Sequence, residues 1–600
     1  GGRELLRIGV RDFYQAPAPQ HFENPTVLEC LDFPAFHAAW TQSAYRPPLD
    51  WNTMRAAHEA QTNFRDNPGD TKILASILHG LKQWALRSGE RRLRFSDRKG
   101  HEYELPPHTA RNPVRGQPIQ VTPEDPFDPI ELYAWYLGMA INWRGRGLFL
   151  KYYLSFPVDY PRDVKDRVLA SFRRGLQRSL PAALIVHYPH VLNEFSVEEL
   201  ASEPAAYAAA ALPHLGLEPT EEGLPYAVFD FGGGTTDFDF GLLRWATEDE
   251  EALGYEMVFE HLTNGGDNFL GGENLLEHLV YESFKHNLSV LREQRIQFTM
   301  PLNAHPFNGS EAFIAQTQAA QTNTVMLAAK LRPFLEGDRP DLPGQIKLEL
   351  LDANGNKKTC ELALNAKALD ELLAKRIKDG VIAFLSELAR LRDELPNAPV
   401  HVLLAGNGSR SRHIKALFDT EKESWKALLE QVFGETPAPE IIVHPPLPMD
   451  ENHLHAPTAK TGVALGLLRL APGEGIKWVN RVCDSHKGEA PFAWYVGRMR
   501  RGRFEPILKR GAAYRQWHEL GPLQEGVFNL IYTTSPRAHN AMAEGDPELT
   551  KNRQEFHAAP VGARLFARAI APNAVELAWA KDLSELQNEE DVQVRKLELK

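Results

Sequence analysis

The string Asp230-Phe-Gly-Gly-Gly-Thr-Thr-Asp237 holds the residues of this chain best suited to chemistry. Gly232, Gly233 and Gly234 make a tight turn whose backbone approaches a ligand without Cβ interference, and the N–H groups of such a turn form a nest for anionic oxygens. The hydroxyls of Thr235 and Thr236 add donors at the same place. Asp230 and Asp237 put carboxylates at the two mouths of the turn, a setting for Mg²⁺, which keeps several waters and needs one or two carboxylates. The plainer reading is a glycine hairpin flanked by aspartates.

The string closely resembles the second phosphate-binding motif of the actin, sugar kinase and DnaK-type heat-shock chaperone superfamily. It is not a P-loop, which would end G-K-[ST]. The resemblance continues in order along the chain. Ser155-Phe-Pro-Val-Asp-Tyr160 is similar to the chaperones' V-P-A-Y-F segment, and Glu203-Pro-Ala-Ala-Tyr207 to their E-P-T-A-A. Asn264-Gly-Gly-Asp-Asn-Phe-Leu-Gly-Gly-Glu-Asn274 resembles N-G-D-x-x-L-G-G-E-D. Leu404-Ala-Gly-Asn-Gly-Ser-Arg410 resembles the adenosine-binding G-G-S-x-R, and Lys460-Thr-Gly-Val-Ala-Leu-Gly466 the closing A-V-A-x-G-A helix.

The resemblance implies an α/β, actin-like two-lobed ATPase fold with a duplicated mixed-sheet core, followed by a small sandwich-like β-rich domain. It implies ATP/ADP and Mg²⁺ as cofactors and a protein or peptide client. Glu203 is then expected to position the water that attacks the γ-phosphate, with Asp237 sharing that task and Asp230 on the metal side. Gly271, Gly272 and Glu273 open a helix near ribose or phosphate. Gly406, Gly408, Ser409 and Arg410 form an adenosine turn, with Arg410 stacked on adenine, and Lys330 matches a lysine of the family's E-x-x-K pair. Leu327 and Phe334 stand where the family has Glu and Ser. The first phosphate loop, D-x-G-T-T, has no counterpart from Gly1 onward; Lys72 is the candidate for the lysine expected from the second lobe, and no helical lid follows the β-rich region.

The elements that must position these residues alternate. Residues 1–70 read as an irregular opening with a strand at Pro25–Leu31, a helix follows over Thr71–Ser88, and 101–129 reads as a surface loop. Strand 148–156, helix 162–180, strand 182–187, helix 197–212 and strand 226–231 then succeed one another, a pattern that predicts a mainly parallel sheet. Leu369, Leu373, Ile377, Val381, Phe384, Leu385 and Leu388 recur at helical spacing and predict a buried stripe. The expected units are an N-terminally incomplete nucleotide-binding domain over 1–475, a linker over 476–489 and a β-rich domain over 490–600.

Composition narrows the function classes. A net charge of −12 argues against a nucleic-acid partner, and Arg498, Arg500, Arg501 and Arg503 read as a solvated strand or turn. Cys30, Cys360 and Cys483 are too sparse for a disulfide framework or a zinc site, which with the absence of a long apolar run leads to the expectation of a soluble cytoplasmic protein of bacterial type, without a membrane partner. The start at Gly1-Gly2, with no methionine, suggests a chain that begins inside a longer protein or after processing. The leading expectation is Mg²⁺-dependent ATP hydrolysis coupled to peptide binding. The alternatives are a nucleotide-responsive scaffold or filament subunit with little hydrolysis, and a small-molecule kinase of the same superfamily.

Overall fold

A computed structural model describes residues 3–599 apart from 10–15, 43–44, 68, 88–91, 112–113, 144–146, 159, 268, 302–303, 338–340, 482–491, 536–537, 539–541, 547 and 588–593. Asp159, Asn268, Cys483 and linker residues 482–489 lie outside the described residues. The chain forms two α/β lobes and a β-rich region. At the centre of the second lobe lies a six-stranded sheet in the order Ile441–His444, Val400–Ala405, Leu224–Phe231, Thr236–Trp245, Met257–Asp267, Ile476–Asn480.

The sheet is mixed, which corrects the mainly parallel expectation. Leu224–Phe231, Thr236–Trp245 and Met257–Asp267 form an antiparallel meander, and parallel pairs flank it on either side. The alternation of strands and helices predicted crossovers, but the glycine turn between Phe231 and Thr236 is short enough to close a hairpin. One face of this sheet carries Phe229, Phe238 and Phe240, which pack on Phe384 of the 26-residue helix Ala366–Leu391. The predicted stripe from Leu369 to Leu388 is buried in the same core.

The first lobe departs more from expectation. Its sheets are small: Met54–Ala56, Leu28–Cys30 and Ile77–Leu78 form one, and Lys151–Phe156 pairs in parallel with Ser196–Ser202 in another. They do not match the six-stranded sheet, so the two sheets do not read as copies of one another. The opening 70 residues contain helices Phe33–Trp40 and Ala57–Asp66. The single helix expected over 71–88 is two short ones, Thr71–Ala75 and Leu81–Arg87, because Ile77–Leu78 pairs with Leu28–Glu29 and Gly80 turns the chain at φ +68°.

Two assignments reverse. Ala182–His187 is a helix, because Pro181 holds the chain at its N-terminus and six apolar-rich residues carry no period of their own. Ser196–Ser202 is a strand, and the helix begins only at Glu203, with Ser202 Oγ accepting from Ala205 N at 3.4 Å and Pro204 in the first turn. The first five residues expected as linker, Ile476–Asn480, are the sheet's edge strand, paired in parallel with Met257–His261. The breakers Ala471–Gly475 end the helix Gly462–Leu470 and turn the chain into that strand.

From Tyr495 two four-stranded antiparallel sheets face each other across a core that includes Val496, Leu508, Leu530, Leu565, Val575 and Leu577. Arg498 and Arg500 pair with Glu505 on the neighbouring strand, at 2.9 and 3.1 Å, and Arg501 lies in the hairpin turn. Among the described residues no helix is long and apolar enough to cross a membrane.

Candidate functional site

The glycine turn opens on a cavity of about 690 Å³ between the two lobes. Gly233, Gly234 and Thr235 form part of its wall, facing Lys82, Gln83, Arg65 and His79 of the first lobe. Helices Gly272–Lys285 and Gln318–Glu336 close the opposite side through Glu273, Glu277 and Arg332.

The turn is built by close backbone approach. Gly232 N donates to Thr235 O at 2.9 Å, while the carbonyls of Gly232 and Gly233 accept from Gly272 N and Glu273 N at 3.1 and 2.7 Å. The first free N–H groups of helix Gly272–Lys285 are therefore capped by the turn itself. A Cβ on Gly271 would lie 2.2 Å from the Gly234 carbonyl carbon, so Gly271 is required for packing against the turn. Gly272 spends its N–H on the turn, donating to the Gly232 carbonyl. Glu273 faces the cavity but is held by Arg332 in a two-pronged pair at 2.6 and 2.9 Å.

Of the turn's side chains, Thr235 Oγ1 donates to Asp237 Oδ2 at 2.7 Å, and Asp237 Oδ1 accepts from Val158 N at 2.7 Å. Thr236 is fully buried and its hydroxyl donates to the Leu270 carbonyl, so it does not reach the cavity. The segment Ser155–Tyr160 is thus tied to the site through Val158, and Tyr160 OH donates to the Lys82 carbonyl at 3.2 Å.

Glu203, at the start of its helix, meets Lys82 Nζ at 2.5 Å. The Lys82 side chain is about half exposed; crowding by the cleft works to lower its ammonium, but Glu203, Tyr160 and Asp237 outweigh that and hold it above its ordinary range. Asp230 is buried, and burial together with the Glu203 charge pushes its carboxyl up to about 7 against the opposing pull of Lys82. Lys72, the lysine expected from the second lobe, is exposed on Thr71–Ala75 and does not line the cavity, whereas Lys82 does. The signal for Lys82 was Gly80-Leu-Lys82 immediately after a strand, a pattern hidden while 71–88 read as one helix.

The expected adenosine residues form a separate group. Gly406 has φ +75°, and a Cβ there would lie 2.4 Å from Phe231 O and 2.5 Å from Asp230 Oδ1. Gly408 packs on the Phe231 ring, Ser409 Oγ donates to Ala405 O at 2.5 Å, and Arg410 reaches the Leu447 carbonyl at 3.4 Å. The space between this turn and helix Gln318–Glu336 is crossed by Arg412, whose guanidinium lies 4.9 Å from the Phe334 ring centroid and donates to Phe334 O at 2.8 Å. None of Gly406, Gly408, Ser409 or Arg410 lines the cavity, and Lys330 is exposed outside it. The motif at Lys460–Gly466 is largely a packing device, since a Cβ on Gly466 would fall 1.6 Å from Ala206 O.

Among the described residues no group of three or more His, Cys, Asp or Glu side chains forms a metal cage. Asp230, Asp237 and Glu203 do not themselves line the cavity; Asp237 and Glu203 already hold donors, so the buried Asp230 carboxyl is the one of the three that would suit a hydrated Mg²⁺.

Segments of the chain are similar to bacterial proteins called chaperone protein HscA homolog. The protein of Vibrio atlanticus is 34% identical over 131 residues, 22% of this chain and 18% of the relative. That of Aliivibrio fischeri is 29% identical over 210 residues, 32% of this chain and 29% of the relative. That of Burkholderia mallei is 41% identical over 142 residues, 21% of this chain and 20% of the relative. The chain thus spans less than a third of the length of these relatives, and no family model matches it. The partial matches support kinship with the DnaK-like, Hsp70-type chaperone family.

Proposed function

We propose that the chain is a DnaK-like protein of actin-like, two-lobed architecture that binds ATP and ADP in the cleft between its lobes, with the β-rich region serving a protein or peptide client. The observation that carries this reading is Lys82, paired with Glu203 and facing a glycine turn on the wall of the 690 Å³ cavity, with the Asp230 carboxyl buried behind that wall. In this reading the turn's N–H groups and Lys82 hold the phosphates, and Asp230 holds the Mg²⁺ that, when bound, neutralises developing charge on the transferred phosphoryl. Thr235 and Val158 keep Asp237 fixed in place to orient water.

Lys82 holds one carboxylate oxygen of Glu203, so only the other is open to a proton from an attacking water until that pair opens. Phosphate oxygens are the natural competitor for the Lys82 ammonium, and nucleotide binding would therefore release Glu203. The same ion pair favours a second reading, a nucleotide-responsive scaffold that turns ATP over slowly. Titration calorimetry with ATP and Mg²⁺ tests binding, and absence of heat beside a functioning chaperone control removes the proposal. Single-turnover hydrolysis separates the two readings: Glu203→Gln abolishes turnover and spares binding if Glu203 positions the water. Nucleotide-dependent light scattering would favour the scaffold.

A further inference from the structure

Beyond Lys82, the cavity holds two cations that the nucleotide reading does not use. Arg65, on helix Ala57–Asp66, and Lys460, just ahead of helix Gly462–Leu470, both line it. The other arginines on its wall are committed: Arg92 and Arg94 to Glu104, and Arg332 to Glu273 and Glu336. Neither Arg65 nor Lys460 forms an ion pair with a described residue. Glu23, the carboxylate that most affects Lys460, accepts instead from Thr458 Oγ1 at 2.9 Å.

Lys460 lies close enough to Lys82 and to Arg65 to feel the charge of each. Lys460 is an exposed residue on the cleft wall; crowding by the surrounding protein holds its ammonium below its ordinary range, and Lys82 and Arg65 add repulsion against the pull of Glu23. Lys82 in turn reaches Glu203 beside the glycine turn. Three cations on the wall of one cleft, Lys460 repelled by the other two and neither it nor Arg65 in an ion pair with a described residue, are stabilised by a ligand that brings several negative charges in a row.

We infer that Arg65 and Lys460 bind the outer phosphates of a polyphosphate whose inner phosphates meet the glycine turn and Lys82, so that the site selects ligands by phosphate number. This deepens the nucleotide reading and rests on it for the nucleoside, though not for the polyphosphate. Lys460 and Arg65 each provide a charge-assisted contact that a monophosphate is too short to make.

The test is titration calorimetry of the full chain in EDTA with ATP, AMP and inorganic tripolyphosphate. ATP is expected to bind at least about tenfold tighter than AMP. Lys460→Ala is expected to weaken ATP and tripolyphosphate about tenfold while leaving AMP nearly unchanged, Arg65→Ala to do the same to a smaller extent, and Lys460→Arg to retain most of the affinity. Equal losses for ATP and AMP, an unchanged tripolyphosphate affinity in Lys460→Ala, or equal damage from Lys460→Arg and Lys460→Ala would overturn the inference. Tripolyphosphate binding that depends on Lys460 in a chain that gains nothing from the nucleoside would sustain the inference and remove the nucleotide reading. ATP binding indifferent to Lys460 would do the reverse. A wild-type chain that binds none of the three ligands would end both.

Discussion

Two glycine turns end neighbouring parallel strands in the second lobe, at Gly232–Gly234 and at Gly406–Gly408, with Asp230 paired to Ala405 across the sheet. In sequence both look like ligand loops. In the fold they differ: a Cβ on Gly233 would meet nothing within 4 Å, whereas one on Gly406 would strike the Phe231 carbonyl and Asp230. The first turn offers backbone to a cavity, and the second gives up its space to the first. A glycine-rich string therefore reports close approach without saying what approaches.

The comparison can be broken by substitution, and the largest effect is expected at the packed turn. Gly406→Ala combines a positive φ with a backbone collision and should cost on the order of 3 kcal/mol of stability, read by chemical denaturation. A variant as stable as the parent would mean that the second turn is not needed for packing. Next in size, Lys82→Ala should weaken ATP about tenfold in a binding titration, because it removes the cation beside the open turn. Unchanged affinity would take Lys82 out of the site.

Asp230 sits where the two turns meet and gives a pH-dependent test. Its carboxyl is raised to about 7 in the folded chain, from about 4 when unfolded. The folded state thus holds a proton that the unfolded state has released, and this group's contribution to stability falls as pH rises through that window. Asp230→Asn is expected to raise the melting temperature by roughly 2 °C at pH 8 and by less at pH 4. An equal change at both pH values would show that the buried charge is not the cause. The smallest effect belongs to Gly233→Ala, which should leave the melting temperature within about 1 °C of the parent while reducing ATP affinity two- to threefold or so. Marked unfolding would mean the open turn is packed after all.

The sheet strands around Asp230 and the long helix were legible because their apolar residues carry a clear period, and the string from Asp230 to Asp237 encodes its own turn. Lys82 was not legible, since its position depends on Ile77–Leu78 pairing with a strand some fifty residues earlier. Local pattern holds no record of such a partner. Gly271 and Gly406 show a related limit: the sequence marks the absence of a side chain, while the identity of the neighbour is set by the tertiary fold. Lys330 was carried over by match alone, and its neighbour Arg332 turned out to be the residue on the cavity wall.

The strand Ile476–Asn480 has a mechanical consequence. It lies in parallel along Met257–His261, five residues in continuous register, with His261 stacked on Trp478 at 5.7 Å between centroids. A pull directed along that strand loads all of its hydrogen bonds together in shear, while a pull across it would peel them one at a time. The passage from the α/β lobes toward the β-rich region therefore begins as a clasp whose strength depends on the direction of the load.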